Sequence, residues 1–181
     1  MLANPGIIFS IMKLTSQIKL QPTPEQHDVL LRTLEQANGA CNDISKQAWD
    51  NRIFHQFNLH RLVYKDIRER YPLSAQIVVR AIAKVAHTYK SNRKKQHSFQ
   101  LHGSFPYDSR ILSFKTDDQT VNIWALGGRQ RMGFLCGERQ RELLEGGRGE
   151  ADLCYIDNEF YLFVSCEIET PEPVDVDGVI G

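Results

Sequence analysis

The chain has 181 residues, of which 41% are apolar and 24% charged. This is the balance of an ordinary globular domain, and it excludes disorder over the whole length. No apolar run approaches the roughly 20 residues that a membrane-spanning helix needs. Formal net charge is zero, from 22 Lys and Arg against 22 Asp and Glu, but the charges are unevenly placed.

Residues 1–95 carry 15 basic and 7 acidic side chains, residues 96–150 carry 7 of each, and residues 151–181 carry 8 acidic and no basic ones. The positive excess is concentrated in residues 60–95, with 10 basic against 2 acidic side chains. A local basic face fits a polyanionic partner, of which nucleic acid is the commonest. It also fits a solvated helix surface balanced by the acidic tail, and charge alone does not separate the two. The four cysteines (Cys41, Cys136, Cys154 and Cys166) contain no C-x-x-C pair. They are expected to be buried free thiols in a reducing, cytoplasmic compartment.

Residues 1–11 show no pattern, and Met12 is an alternative start. The run Ile7–Met12 is short, with no basic residue before it and no cleavage site after it, so it does not read as a signal peptide. Leu14, Ser16, Ile18 and Leu20 alternate with polar residues, which predicts a half-buried strand ended by Pro22. Thr23-Pro24-Glu25-Gln26 is a helix start with the elements of a capping box. Leu30, Leu34, Ala37, Cys41, Ile44 and Ala48 then form one apolar stripe, predicting a helix over 24–50 that runs through Gly39. A second helix is expected from near Asn58 to Tyr71. A third should begin at Ser74, with Ile77, Val78, Ala81, Ile82, Val85 and Tyr89 inward.

Near Gln96 the period changes to two. Phe99–Leu101, Arg110–Lys115, Thr120–Leu126, Arg129–Leu135, Ala151–Ile156 and Phe160–Ile168 read as strands. Gly127-Gly128 and Asp157-Asn158 read as two-residue hairpin turns, and Gly146–Gly149 as a flexible loop without the residues of a phosphate loop. The predicted fold class is α+β: a small, OB-like antiparallel β-barrel interrupted by a three-helix insertion. Its divisions are an extension at 1–11, the first barrel strand at 12–22, the helical insertion at 23–95, the barrel at 96–170, and an acidic linker with the start of a further strand at 171–181.

No catalytic constellation is legible. The serines lack a nucleophile-elbow context, and no carboxylate or cysteine completes a metal set with His55 and His60. The nucleic-acid signal is stronger. Arg80, Lys84, Lys90, Arg93, Lys94 and Lys95 make a row of phosphate-neutralising charge. Gln76 and Asn92 could read base edges, and His87 or Tyr89 could stack on a base. In the barrel, Arg129 and Arg131 share a strand face, and Arg139 and Arg141 repeat that spacing.

Three stretches resemble the TnpB/OrfB proteins of insertion sequences, RNA-guided DNA endonucleases also known as transposases. They are Met12–Thr15 through Gln21-Pro22-Thr23-Pro24-Glu25-Gln26, the Leu73–Val78 segment followed by Ala81–Lys90, and Ala151–Tyr155 with Asn158–Val164. Their order covers residues 12–181. The resemblance implies a wedge barrel interrupted by a helical recognition domain, with guide RNA and target DNA as partners; neither a membrane nor a small-molecule substrate is expected. It also implies a following RuvC-like nuclease domain whose acidic residues bind divalent metal and whose C-x-x-C pairs bind zinc. Those residues are not in this sequence, which ends at Val179-Ile180-Gly181, so no catalytic residue and no cofactor is assigned to it. The resemblance leaves two readings: the nucleic-acid-binding amino-terminal portion of such a nuclease, or a truncated, inactive remnant acting as a competitor or regulator. A downstream reading frame encoding the acids and cysteine pairs would favour the first, and a stop codon the second.

Overall fold

The computed structural model describes residues 9–146 and 148–171. Strand β1 (Phe9–Gln21) leads into helices α1 (Pro24–Asn51), α2 (Gln56–Arg70) and α3 (Ala75–Ser91). Strands β2 (Phe105–Tyr107), β3 (Leu112–Lys115), β4 (Thr120–Ala125) and β5 (Gly128–Leu135) follow, then helix α4 (Glu138–Gly146) and strands β6 (Arg148–Ile156) and β7 (Glu159–Pro171).

The helices begin where their capping chemistry sits. Thr23 accepts from the Gln26 amide while the Gln26 side chain accepts from the Thr23 amide, and Pro24 takes the first helical position. Ser74 caps α3 by accepting from the Ile77 amide. α1 carries its stripe from Leu30 through Ala37 and Ile44 to Ala48, all fully buried. α2 contributes Leu59, Val63 and Ile67 to the same core, and α3 contributes Ile77, Ala81, Val85 and Tyr89. The three helices pack on one another as a small bundle.

The strands form one antiparallel sheet in the order β2-β6-β7-β1-β5-β4-β3. The end strands β2 and β3 are separated in sequence only by residues 108–111, so the sheet curls until its edges approach, making a nearly closed barrel. The Tyr107 hydroxyl in β2 donates to the Trp124 carbonyl of β4 at 3.1 Å, across that gap. Interior positions alternate as the sequence predicts: Val121, Ile123 and Ala125 in β4 point inward, as do Leu162, Val164 and Cys166 in β7. β1 lies mid-sheet. It pairs with β7 from Phe9↔Pro171 to Lys19↔Tyr161 and with β5 from Lys19↔Leu135 to Gln21↔Gly133. The three helices are therefore inserted between one barrel strand and the rest.

Several sequence expectations need correction. β1 starts at Phe9 rather than Met12, because β7 continues far enough to pair with residues 9–11. Phe99–Leu101 is not a strand; its backbone groups are taken by side chains of α1, and the strand forms at Phe105–Tyr107. Arg110 and Ile111 lie in a turn closed on Asp108, so β3 begins at Leu112. The β4–β5 turn falls on Leu126-Gly127, not Gly127-Gly128, since Ala125 pairs with Gly128; Gly127 supplies the positive φ of 79°. The Asp157-Asn158 turn stands as expected, with φ of 50° and 64°.

Arg139 and Arg141 lie on α4, which alternation does not reveal, so they share no strand face. Gly146 ends α4 and Arg148 opens β6, while Gly147, residues 1–8 and residues 172–181, with the expected linker and further strand, lie outside the described residues. All four cysteines are free, but only Cys41 and Cys166 are buried; Cys136 and Cys154 are partly exposed. No described helix is long and apolar enough to cross a membrane.

Gly39 tests how much the α1 backbone limits stability. A Cβ built there meets only the Tyr71 ring, 3.5 Å away, an ordinary contact. Gly39→Ala should raise unfolding free energy by about 1 kcal/mol from helix propensity, read by urea denaturation.

Candidate nucleic-acid interface

The inner face of α3 is apolar and buried, so its opposite face carries Gln76, Arg80, Lys84 and His87. That face is not uniformly open to solvent. The β2–β6 edge of the barrel lies against its first half and converts three predicted contact residues into internal ties. Gln76 donates to the Asp108 carboxylate at 2.6 Å and accepts from the Arg110 guanidinium at 3.4 Å. Arg80 pairs with Glu150 at 2.6 Å, leaving its side chain only 14% exposed, and its buried Nε has no hydrogen-bond partner. Lys84 donates to Asn38 Oδ1 at 2.8 Å and to the Ser104 carbonyl at 2.5 Å. Its ammonium also lies 5.1 Å from the Phe99 ring centroid and 5.6 Å from that of Phe105. The expectation that Lys84 contacts phosphate is corrected: burial lowers its pKa and the cation is spent on the fold.

The ties belong to a larger clasp. Residues 97–104 cross α1 as an irregular strap that turns at 101–103. Asn38 donates to the carbonyls of Leu101 at 3.0 Å and Gly103 at 2.8 Å. Asn42 both donates to the Phe99 carbonyl and accepts from its amide. Ser45 donates to the His97 carbonyl at 2.6 Å, and the His97 amide reaches the Tyr89 hydroxyl. Tyr89 is fully buried, so it cannot stack on a base as the sequence suggested. The Asn92 side chain accepts from the Lys94 amide, a local turn contact rather than a free base-reading group.

Beyond the barrel edge the pattern reverses. His87, Lys90, Arg93, Lys94 and Lys95 are all exposed. Among the described residues none of Lys90, Arg93, Lys94 and Lys95 forms an ion pair. A cleft of about 760 Å³ runs from this end along α3, between the start of α2 and the barrel edge. Arg80, Lys84, His87, Lys90 and Arg93 line it, and so do Glu150 and Asp152. Burial pushes the Asp152 carboxyl up, opposed by nearby Lys84. The acidic side chains therefore sit where Arg80 and Lys84 are already engaged, and the open end is left positive.

Arg129 and Arg131 form a separate group. Arg129 lies 5.6 Å over Trp124 and donates to the Arg110 carbonyl, and Arg131 pairs with Asp118 at 3.3 Å. Through Arg110, Arg129 adjoins the Gln76 end of α3. Fourteen residues at about 1.5 Å each separate that end from Lys90, roughly 20 Å. The nine predicted residues thus divide into a tied set and an open set of His87, Lys90, Arg93 and Lys94.

Burial pushes the Cys41 thiol up to about 12 and Cys154 to about 11, so neither is a thiolate nucleophile at neutral pH. Among the described residues no three His, Cys, Asp or Glu side chains are grouped to hold a metal ion. No protein-family model matches the chain, and no curated protein matches its sequence.

Lys84→Ala should behave as a structural lesion. It removes a half-buried cation hydrogen-bonded to two acceptors, and should cost about 1.5–3 kcal/mol. The matching change at exposed Lys90 should cost less than about 0.5 kcal/mol. Equal effects in chemical denaturation would place Lys84 back among the solvated charges.

Proposed function

We propose that this chain is a nucleic-acid-binding module, the amino-terminal wedge and recognition portion of a cytoplasmic TnpB/OrfB-like, transposon-associated RNA-guided DNA endonuclease. In this reading it binds guide RNA and target-flanking DNA and supplies no catalytic acids of its own. The observation that carries the reading is the open group of cations at the end of α3. Among the described residues Lys90, Arg93, Lys94 and Lys95 have no carboxylate partner and lie at the end of a cleft, while nearer the barrel Arg80 is paired with Glu150 and Lys84 is hydrogen-bonded to Asn38 and Ser104. Unpaired cations grouped in this way bind phosphates through counterion release. The barrel interrupted by a helical insertion agrees with the layout the resemblance implies.

The division of α3 refines the roles. Lys90, Arg93 and Lys94 are the phosphate contacts. Gln76, Arg80 and Lys84 hold the surface in place, and base reading is not assigned to them.

The test is fluorescence anisotropy with a structured RNA and a DNA duplex at several salt concentrations. Affinity should fall steeply between roughly 50 and 200 mM salt. Replacing Lys90, Arg93 and Lys94 by Ala should lower the log–log salt slope by about 0.9 per lost contact on duplex, or about 0.7 on single strands. Affinity that does not change with salt would reduce the cluster to a solvated face and remove the proposal.

A further inference from the structure

Next to the open cations lies a second feature that sequence periodicity did not single out. Residues 51–65, from the end of α1 into α2, contain no acidic side chain, while Arg52, Arg61 and Lys65 are basic. The first turn of α2 likewise carries no acid. In and around this stretch, three cations each lie close to an aromatic ring. Arg52 lies 4.0 Å over the Trp49 ring, Arg93 lies 5.8 Å from the Phe54 centroid, and Arg61 lies 5.9 Å from that of Phe57. His60 and Tyr64 stack at 4.6 Å and 19°. Phe57 is 63% exposed, and no other aromatic is so open among the large exposed apolar side chains of the described residues.

Phe57 does not serve the core of its own helix. The buried side of α2 is Leu59, Val63 and Ile67, and Phe57, Arg61 and Lys65 recur four apart on the outer side. Phe54, His55 and Gln56, just before Phe57, line the cleft that holds Lys90 and Arg93. The α2 start and the α3 end therefore meet at the cleft, where Arg93 lies near the Phe54 ring, and Phe57 follows next in sequence after the lining residue Gln56.

We infer that this surface binds single-stranded nucleic acid, with an unpaired base stacking on Phe57 and the cations Arg61, Lys90, Arg93 and Lys94 tracking its phosphates. The inference rests on the nucleic-acid-binding reading above and narrows it to strands with free bases. A duplex offers phosphates to the cations but hides its base faces. An exposed ring beside guanidinium groups gains from a base face that an acidic peptide cannot supply. Stacking and phosphate contact do not read the 2′-hydroxyl, so RNA and DNA strands of the same length should bind alike.

The test uses the full chain with 15-nucleotide oligo(U) and oligo(dT), an abasic strand of equal length, a duplex, and polyglutamate as competitor. The two base-bearing strands should bind similarly, and both tighter than the abasic one. Phe57→Ala should weaken them by roughly 5- to 100-fold and leave abasic and duplex binding nearly unchanged. Phe57→Tyr should restore the loss, and the melting temperature of both variants should match the parent, since the ring is exposed. Replacing Lys90, Arg93 and Lys94 should weaken every nucleic acid tested. Salt-dependent binding that Phe57→Ala leaves intact overturns this inference while sparing the broader reading. Polyglutamate displacing the strand at equal charge also overturns it, in favour of an acidic protein partner. Absence of salt-dependent binding to any nucleic acid removes both.

Discussion

The arrangement depends on the clasp that α1 makes around residues 97–104. The insertion is joined to the barrel by only two connections. One is the short step from Gln21 to Pro24, and the other is the segment after α3, whose backbone forms no ladder with any strand. Backbone groups of this partly exposed segment that face α1 find their partners in its side chains. Asn38, Asn42 and Ser45 recur four and three residues apart on one face of α1 and meet the strap in sequence, with Lys84 of α3 tying Asn38 to the Ser104 carbonyl. Asn38 and Ser45 are buried polar residues inside an otherwise apolar helix packing, and the strap explains both.

Smaller contacts set the angle of α1 against the barrel. Gln26 donates to the Arg131 carbonyl at 2.9 Å, and Thr33 accepts from the Leu126 amide at 3.0 Å. His27 packs edge-on against Phe160 and lies within 3.2 Å of the Asn158 carbonyl. At the far end of the strap, His102 meets Glu35 at 2.9 Å. Together with the clasp, these fix α1 against both hairpins, and α3 is held both by packing on α1 and by its own ties to Asp108, Glu150 and Ser104.

The same logic separates what was legible in the sequence from what was not. The strand-helix-barrel order followed from the period change at Gln96, and the α1 and α3 starts followed from Thr23, Pro24 and Ser74, because capping is local chemistry. The helical stripe of α3 was legible too, but its exposure was not. Gln76, Arg80 and Lys84 have the spacing of a solvent face, and only the position of β2 and β6 shows that a barrel edge covers it. The Phe99–Leu101 error has the same origin: three residues of suitable type do not reveal that their backbone partners are asparagines some 60 positions earlier. Helix α4 was missed for a different reason. It is short, with Leu144 alone buried, and its signal lay in the helix-favouring Glu, Arg, Gln and Leu composition rather than in a stripe. Phe57 gives no periodic signal, because it is a lone aromatic off the apolar face of α2.

The charge asymmetry of the chain takes on a definite physical form in this light. An excess of basic residues over 60–95 need not produce a basic surface, and over much of that span it does not. Arg70 is held by Asp43 and Asp66, Lys65 lies near Glu69, Arg68 donates to the Leu73 carbonyl, and Arg80 is paired with Glu150. What remains is set by length. The acids of the barrel edge that face α3, namely Asp108, Glu150 and Asp152, lie beside Gln76, Arg80 and Lys84, and the helix runs on beyond them to Ser91. Its last turn and the residues after it project cations where no acid of the described fold can reach them. Uncompensated charge of one sign costs stability through repulsion, and a bound polyanion relieves that cost. The end of α3 is accordingly the part of the described fold where cations lack carboxylate partners, and it is the place where the proposed polyanion would be held.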